Sequence, residues 1–255
     1  MEKKTIIIIS LLSTVFSLIY VLLSYFGFTR YLGMYFFSIE KYGKNYKNLD
    51  KIGKDRIVIS LAITTKQKTK LSKVIKSLLD QTVRVDLISL IVPNKSDYQY
   101  IENFVSIFKC GKDQGILNCL IPSIIRENES TTRIITLADN TIYGKDFIET
   151  LMEKSEKYPD SIIYSNSNSN SNSNSNSNSN SNSNSNSNSN SNSNSNSNFN
   201  SNFIDLTKGV VFSTKFFNTD FIKVPKGVNG NKWVNDYFEN FPKEKIIYKE
   251  NYKIL

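Results

Sequence analysis

Histidine is absent from the chain. That removes the commonest metal ligand and the commonest general base near neutral pH. Any chemistry must come from carboxylates, hydroxyls, lysines or cysteines. Thr64 and Thr65 follow one apolar run, and Asp139 and Asn140 follow another. Asp113 can accept hydrogen bonds from a nucleobase or ribose, or it can simply start a helix. Cys110 and Cys119 lie nine residues apart. Alone they cannot build a zinc site. They either pair in an oxidising compartment or serve as two small buried residues.

The elements that would position these groups follow from periodicity. Arg56 to Ile63 (RIVISLAI) is a β-branched apolar run and reads as a buried strand. Leu71, Val74, Ile75, Leu78 and Leu79 then make one stripe on a helix. Asp86 to Val92 (DLISLIV) is a second strand, and Tyr98 to Phe108 fits a helix with Ile101, Phe104, Val105 and Phe108 on one face. Arg133 to Leu137 is a third strand. Asp146 and Glu149 form a capping signature for a helix that buries Phe147, Ile148, Leu151 and Met152. Ser161 to Tyr164, Gly209 to Ser213 and Glu244 to Lys249 read as strands, and Asn231 to Phe241 as a helix. Strands alternating with helices imply parallel pairing, hence an α/β, Rossmann-like class with a mostly parallel sheet. Ligands in such sheets bind beyond the carboxyl ends of the strands. That places Thr64, Thr65 and the stretch after Leu137 at the mouth of any site.

Not all of the 255 residues belong to that core. Thr5 to Phe28 carries no charge and is long enough to span a bilayer. It is too long for the apolar part of a cleavable leader, so it reads as a signal-anchor. Lys3 and Lys4 precede it and Arg30 follows, which favours a type II orientation with the domain lumenal. Asn94-Lys95-Ser96 and Asn128-Glu129-Ser130 fit the N-glycosylation acceptor pattern and would be used only there. Residues 165 to 198 are an unbroken Ser-Asn alternation with no apolar residue, which predicts a disordered insertion. The organisation is then an anchor at 1–28, a stem at 29–55, a first half-domain at 56–164, the insertion at 165–202 and the remainder at 203–255. Net charge is +9 with the lysines dispersed, and no nucleic-acid motif is present. The partners implied are membrane lipid and not nucleic acid.

Four stretches together resemble the GT-A type, family-two-like glycosyltransferases that use nucleotide sugars. VISLAITT (58–65) with LSKVIKSLLDQT (71–82) resembles the family's first strand, helix and "SLLxQT" turn. DQGILNCLIP (113–122) resembles "DxGPATKLIP", IITLADNTIY (134–143) resembles "IITVDDDIIY" with its metal-binding DxD, and GNKWV (230–234) resembles "DDxWV". The resemblance implies a nucleotide-sugar donor, a glycan or protein hydroxyl as acceptor, and Mg2+ or Mn2+ on the diphosphate. It implies nucleotide contact at Thr64, Thr65, Asp113 and Asp139, leaves Asp139 and Asn140 as poor metal ligands, and leaves Asp236 or Glu239 to substitute for the base. The departures are consistent with one another. The triplet is Ala138-Asp139-Asn140, the phosphate lysine falls on Cys119, and the acidic pair before Trp233 is Gly230-Asn231. The resemblance therefore implies a degenerate transferase of weak or no activity, or a non-catalytic glycan- or partner-binding module.

Overall fold

A computed structural model of the chain describes residues 3–25, 27–63, 68–92, 95–109, 114–127, 129–165, 204–239 and 245–248. Helix α1 (Lys3–Tyr25) opens the chain. Its stretch Ile7–Tyr25 is long and apolar enough to cross a bilayer, and none of that stretch is buried against the rest of the chain. Gly27 then takes a left-handed conformation, φ 72°, which ends the helical path and lets the chain change direction. The Ser-Asn stretch from residue 166 onward lies outside the described residues.

Residues 29–55 are not a passive stem. They contain helices α2 (Phe28–Phe36) and α3 (Ile39–Lys47), which pack on α4 (Lys68–Leu79). Met34, Ile39, Tyr42 and Tyr46 enter the main hydrophobic core. The Tyr46 hydroxyl accepts the Val85 N–H at 2.9 Å. Lys76 is buried, and its ammonium caps α2 by donating to the carbonyls of Met34 (2.9 Å) and Phe37 (2.6 Å). Gly43 leaves room for the Phe104 ring, with which a Cβ there would collide. The segment's lysine-rich composition masks a buried face at helical spacing.

Among the described residues seven strands form one sheet: β1 (Ile57–Ala62), β2 (Leu87–Val92), β3 (Ser106–Lys109), β4 (Arg133–Leu137), β5 (Ile162–Ser165), β6 (Val210–Ser213) and β7 (Lys245–Tyr248). Their order is β3-β2-β1-β4-β6-β5-β7. Of these, β6 alone runs against its neighbours, pairing antiparallel with β4 and β5. The α/β, Rossmann-like class therefore holds. Every residue of β1 is buried, because helices cover both faces. One face packs α4 and α6 (Phe147–Lys157) through Leu71, Ile75, Leu78, Ile148 and Leu151. The other packs a 3-10 turn (Gly115–Cys119), α5 (Ile121–Arg126) and α7 (Gly230–Glu239) through Leu117, Leu120, Val234 and Phe238.

Two local expectations are corrected. The stretch 98–108 is no helix: a 3-10 turn over Lys95–Ile101 leads into strand β3, paired in parallel with β2. Sheet hydrogen bonding to β2 overrides a spacing that suited either period. The Asp146 side chain makes no capping bond at α6. Its would-be partner Glu149 accepts instead from the Thr82 hydroxyl at 2.6 Å.

Candidate functional site at the β1/β4 switch point

The chain winds outward from β1 through β2 to β3, then returns to β4 on the other side of β1. That reversal opens a crevice beyond the carboxyl ends of β1 and β4. Thr64 and Thr65, beyond β1, and Asp113 and Cys110 lie outside the described residues, as do Asn94 and Asn128 of the two acceptor patterns. Ala138, Asp139 and Asn140 follow β4 directly and occupy the crevice.

The triplet is held by Tyr143. Its hydroxyl accepts the Ala138 N–H at 2.8 Å and donates to the Ala138 carbonyl at 3.0 Å. Burial, above all, and the nearby Asp139 charge raise the Tyr143 phenol well above its ordinary pKa, so it stays a neutral donor and acceptor. The Tyr143 backbone is fixed in turn. Its N–H donates to the Ser77 hydroxyl at 3.2 Å, and its carbonyl accepts from Arg30 Nη1 at 2.8 Å. Arg30 is itself paired with Asp80 at 2.7 Å.

Gln81 completes the clamp. Its amide donates to the carbonyls of Ser77 (2.8 Å) and Gly144 (2.6 Å), and its oxygen accepts the Ile148 N–H at 3.0 Å. The Thr82 N–H donates to the Lys145 carbonyl at 2.9 Å. The "SLLDQT" stretch, quoted above only as a resemblance, thus has a physical task. It ties the end of α4 to the loop that carries the crevice triplet.

Asp139 is 3% exposed, Asn140 is exposed, and Ala138 offers no ligand at all. Among the described residues no three Cys, Asp or Glu side chains gather closely enough to hold a metal ion. A divalent cation on a diphosphate wants several hard oxygen ligands. One buried carboxylate and one neutral amide do not fit that requirement.

The stretch 230–234, quoted above for its resemblance to "DDxWV", is packed into the protein. Gly230 sits tight against the 3-10 turn, where a Cβ would meet the Ile116 side chain at 2.5 Å. Asn231 and Asn235 are spent on backbone. Asn231 accepts from Leu206 N at 3.1 Å, and Asn235 both accepts from and donates to Ile204 at 2.8 Å. Asp205 accepts from Asn231 at 3.2 Å and from the Thr207 hydroxyl at 2.7 Å. No sequence signal singled out this carboxylate, because the sequence around it carries no motif. Asp236 lies on the exposed side of α7, paired with Lys232 at 2.5 Å, and Glu239 is also exposed. The buried side of that helix is Gly230, Val234 and Phe238.

Cys119 is a fully buried free thiol whose Sγ donates to the Ile116 carbonyl at 2.9 Å. Burial raises its pKa far above the usual thiol range, so it supplies no charge to a phosphate. A separate pocket of about 250 Å3 lies between α3, β2 and β3, lined by Tyr46, Arg84, Asp86, Glu102 and Phe104. It contains none of the crevice residues.

No protein-family model matches the chain, and no curated protein matches it by sequence. Solved structures do match. A 4-diphosphocytidyl-2C-methyl-D-erythritol synthase is 11% identical and covers 79% of this chain and 92% of its own, with a TM-score of 0.51. The likeness shows the fold alone, α/β and Rossmann-like. GalNAc-T7, solved with UDP, GalNAc and Mn2+, is 12% identical over 43% of this chain and 22% of its own, TM-score 0.38. The mannosyltransferase PcManGT from Pyrobaculum calidifontis, in complex with GDP-Man and Mn2+, is 7% identical over 50% and 42%, TM-score 0.38. The chain thus spans less than half of either glycosyltransferase.

Proposed function

We propose that this chain is a membrane-tethered, GT-A-like module that binds a nucleotide-sugar type of ligand without transferring the sugar at any useful rate. The observation that carries this reading is the state of the β4 crevice. Transfer breaks the bond between the sugar's anomeric carbon and the diphosphate oxygen while an acceptor hydroxyl loses a proton to a base. The departing diphosphate needs compensating positive charge, commonly from a cation held by carboxylates. In place of that ligand the chain has Ala138, with both backbone polar groups bonded to Tyr143. The residues available to hold Mg2+ or Mn2+ are Asp139 and Asn140, and the base candidate Asp236 is engaged by Lys232. What the crevice retains is a buried carboxylate, Asp139, on a tightly held loop, with Thr64, Thr65 and Asp113 assigned to the nucleotide. The glycan or protein acceptor becomes a bound partner instead of a substrate.

The test uses the full chain in nanodiscs with UDP- and GDP-sugars, with and without Mn2+. Binding that is indifferent to Mn2+, with no sugar release, is the expected outcome. Mn2+-dependent turnover abolished by Asp139→Ala would overturn the proposal and make the chain an enzyme. The type II, lumenal arrangement belongs to the same proposal and is supported by Lys3 and Lys4 ahead of α1. Protease added outside sealed microsomes should leave the domain intact, and its digestion there would reverse the orientation.

A further inference from the structure

Helix α2 presents two faces. Arg30 and Met34 point inward, to Asp80 and to the hydrophobic core. At 100° per residue, Phe28, Leu32, Tyr35 and Phe36 fall on the opposite side. Tyr35 is 61% exposed and Phe36 78%, while Phe28 and the following Phe37 are exposed as well. A run of large aromatics left in water is uncommon on a soluble domain. Its position supplies the explanation. The face begins three residues after Tyr25, the last residue of the bilayer-length stretch of α1.

Charge frames the same patch. The Lys41 ammonium lies 3.3 Å from the Phe37 ring centre, and the Lys73 ammonium 3.7 Å from that of Tyr35. Aromatic rings at headgroup level, with lysine ammonium groups reaching the phosphates, are what a phospholipid interface accommodates best. Helix α2 has nine residues, about 13 Å of length. Had α1 continued straight, Phe36 would stand beyond the headgroup layer, which is only some 5–7 Å deep on each side. The left-handed Gly27 breaks the path at the point where a helix must turn to lie flat.

We infer that the aromatic face of α2 docks into the phospholipid headgroup layer beside the α1 span, so that the domain rests on the membrane instead of swinging on a tether. This rests on the reading of α1 as a membrane span. Docking through α2 also fixes the crevice relative to the bilayer, since Arg30 on its inner face bonds the Tyr143 carbonyl.

The experiment places tryptophan reporters in the full chain in phosphatidylcholine nanodiscs and quenches them with lipid brominated on shallow acyl carbons. Native Trp233 is half-buried, its indole N–H on the Phe221 carbonyl, and serves as internal reference. Phe36→Trp should lose about half of its added emission, as for a helix sunk 5–10 Å into the interface. Tyr35→Trp should behave alike, and Leu12→Trp should be quenched as a residue of the span. Quenching of Leu12→Trp without quenching of Phe36→Trp and Tyr35→Trp overturns the docking and leaves the span intact. An unquenched Leu12→Trp overturns the span and the docking with it.

Discussion

Replacing Gln81 with leucine tests the clamp that holds the crevice loop. The side chain is 3% exposed and binds both sides of the loop, the Gly144 carbonyl at 2.6 Å and the Ile148 N–H at 3.0 Å. Leucine has similar bulk, so the cavity term is small, but it leaves the Ile148 N–H buried and unpaired, and the half-buried Gly144 carbonyl keeps only the long contact from the Phe147 N–H at 3.4 Å. The orphaned N–H costs about 1–3 kcal/mol and the lost carbonyl bond about 1 kcal/mol, which puts the loss at about 2–4 kcal/mol. Thr82→Val is the matched control. It removes an exposed hydroxyl bond to Glu149, a loss of about 0.5 kcal/mol. Urea unfolding of the full chain in detergent, followed by circular dichroism, reads both. For a slope of about 1–3 kcal/mol/M the Gln81→Leu midpoint should fall by roughly 2 M. A loss under about 1 kcal/mol, or one no larger than that of Thr82→Val, would refute the claim that the "SLLDQT" stretch works by holding this loop.

Three further outcomes follow from packing and protonation. A chain starting at residue 50 lacks Met34, Ile39, Tyr42 and Tyr46. At about 1.5–3 kcal/mol each these are worth about 6–12 kcal/mol, comparable to a whole domain's stability, so cooperative unfolding should vanish. A chain starting at residue 27 should keep it, and equal midpoints for the two would show that 29–55 is a stem after all. Burial pushes the Tyr46 phenol up from 10.0 to about 12. Its contribution is therefore fully present below about pH 10 and lost as pH rises toward 12, a fall of roughly 2–3 kcal/mol that Tyr46→Phe should remove from the measured pH slope. Cys119, buried and with a raised thiol pKa, should take up iodoacetamide only on unfolding. Peptide mapping that finds Cys119 modified in the folded chain would contradict its burial.

Which parts of this protein could be read from its residues depends on whether the deciding forces are local. Strands β1, β2 and β4 announce themselves because both faces are covered, which forces unbroken β-branched runs such as IVISLA. The stripe of α4 is equally plain, and Leu71, Val74, Ile75, Leu78 and Leu79 are all buried. Strand β3 was misread because Ile101, Phe104, Val105 and Phe108 also suit a helical period, and only its pairing with β2 decides the matter. Residues 29–55 misled for a different reason. Lysines and glycines interrupt the pattern there, whereas Ile39, Tyr42 and Tyr46 follow the helical spacing and, with Met34 of α2, join the core beside α4.

The candidate site divides along the same line. Its position was legible, since strand ends and a returning chain fix a crevice whatever the side chains are. The absence of carboxylates at Ala138, Asn140 and Gly230-Asn231 was legible letter by letter. The long-range contacts that hold the surrounding backbone were not. Tyr143 reaches five residues back to engage Ala138, Gln81 reaches across 63 residues to Gly144, and Asn235 reaches across 31 to Ile204. Each contact pairs backbone polar groups that are at least partly withdrawn from water, which is a stability argument and not a catalytic one. Among the described residues, the side chains of Tyr143, Gln81, Asn231 and Asn235 are thus committed to holding backbone and neighbouring side chains in place. The proposal of binding without turnover leans on that commitment together with the absence of a side-chain oxygen at Ala138, and Mn2+-dependent sugar release would refute it.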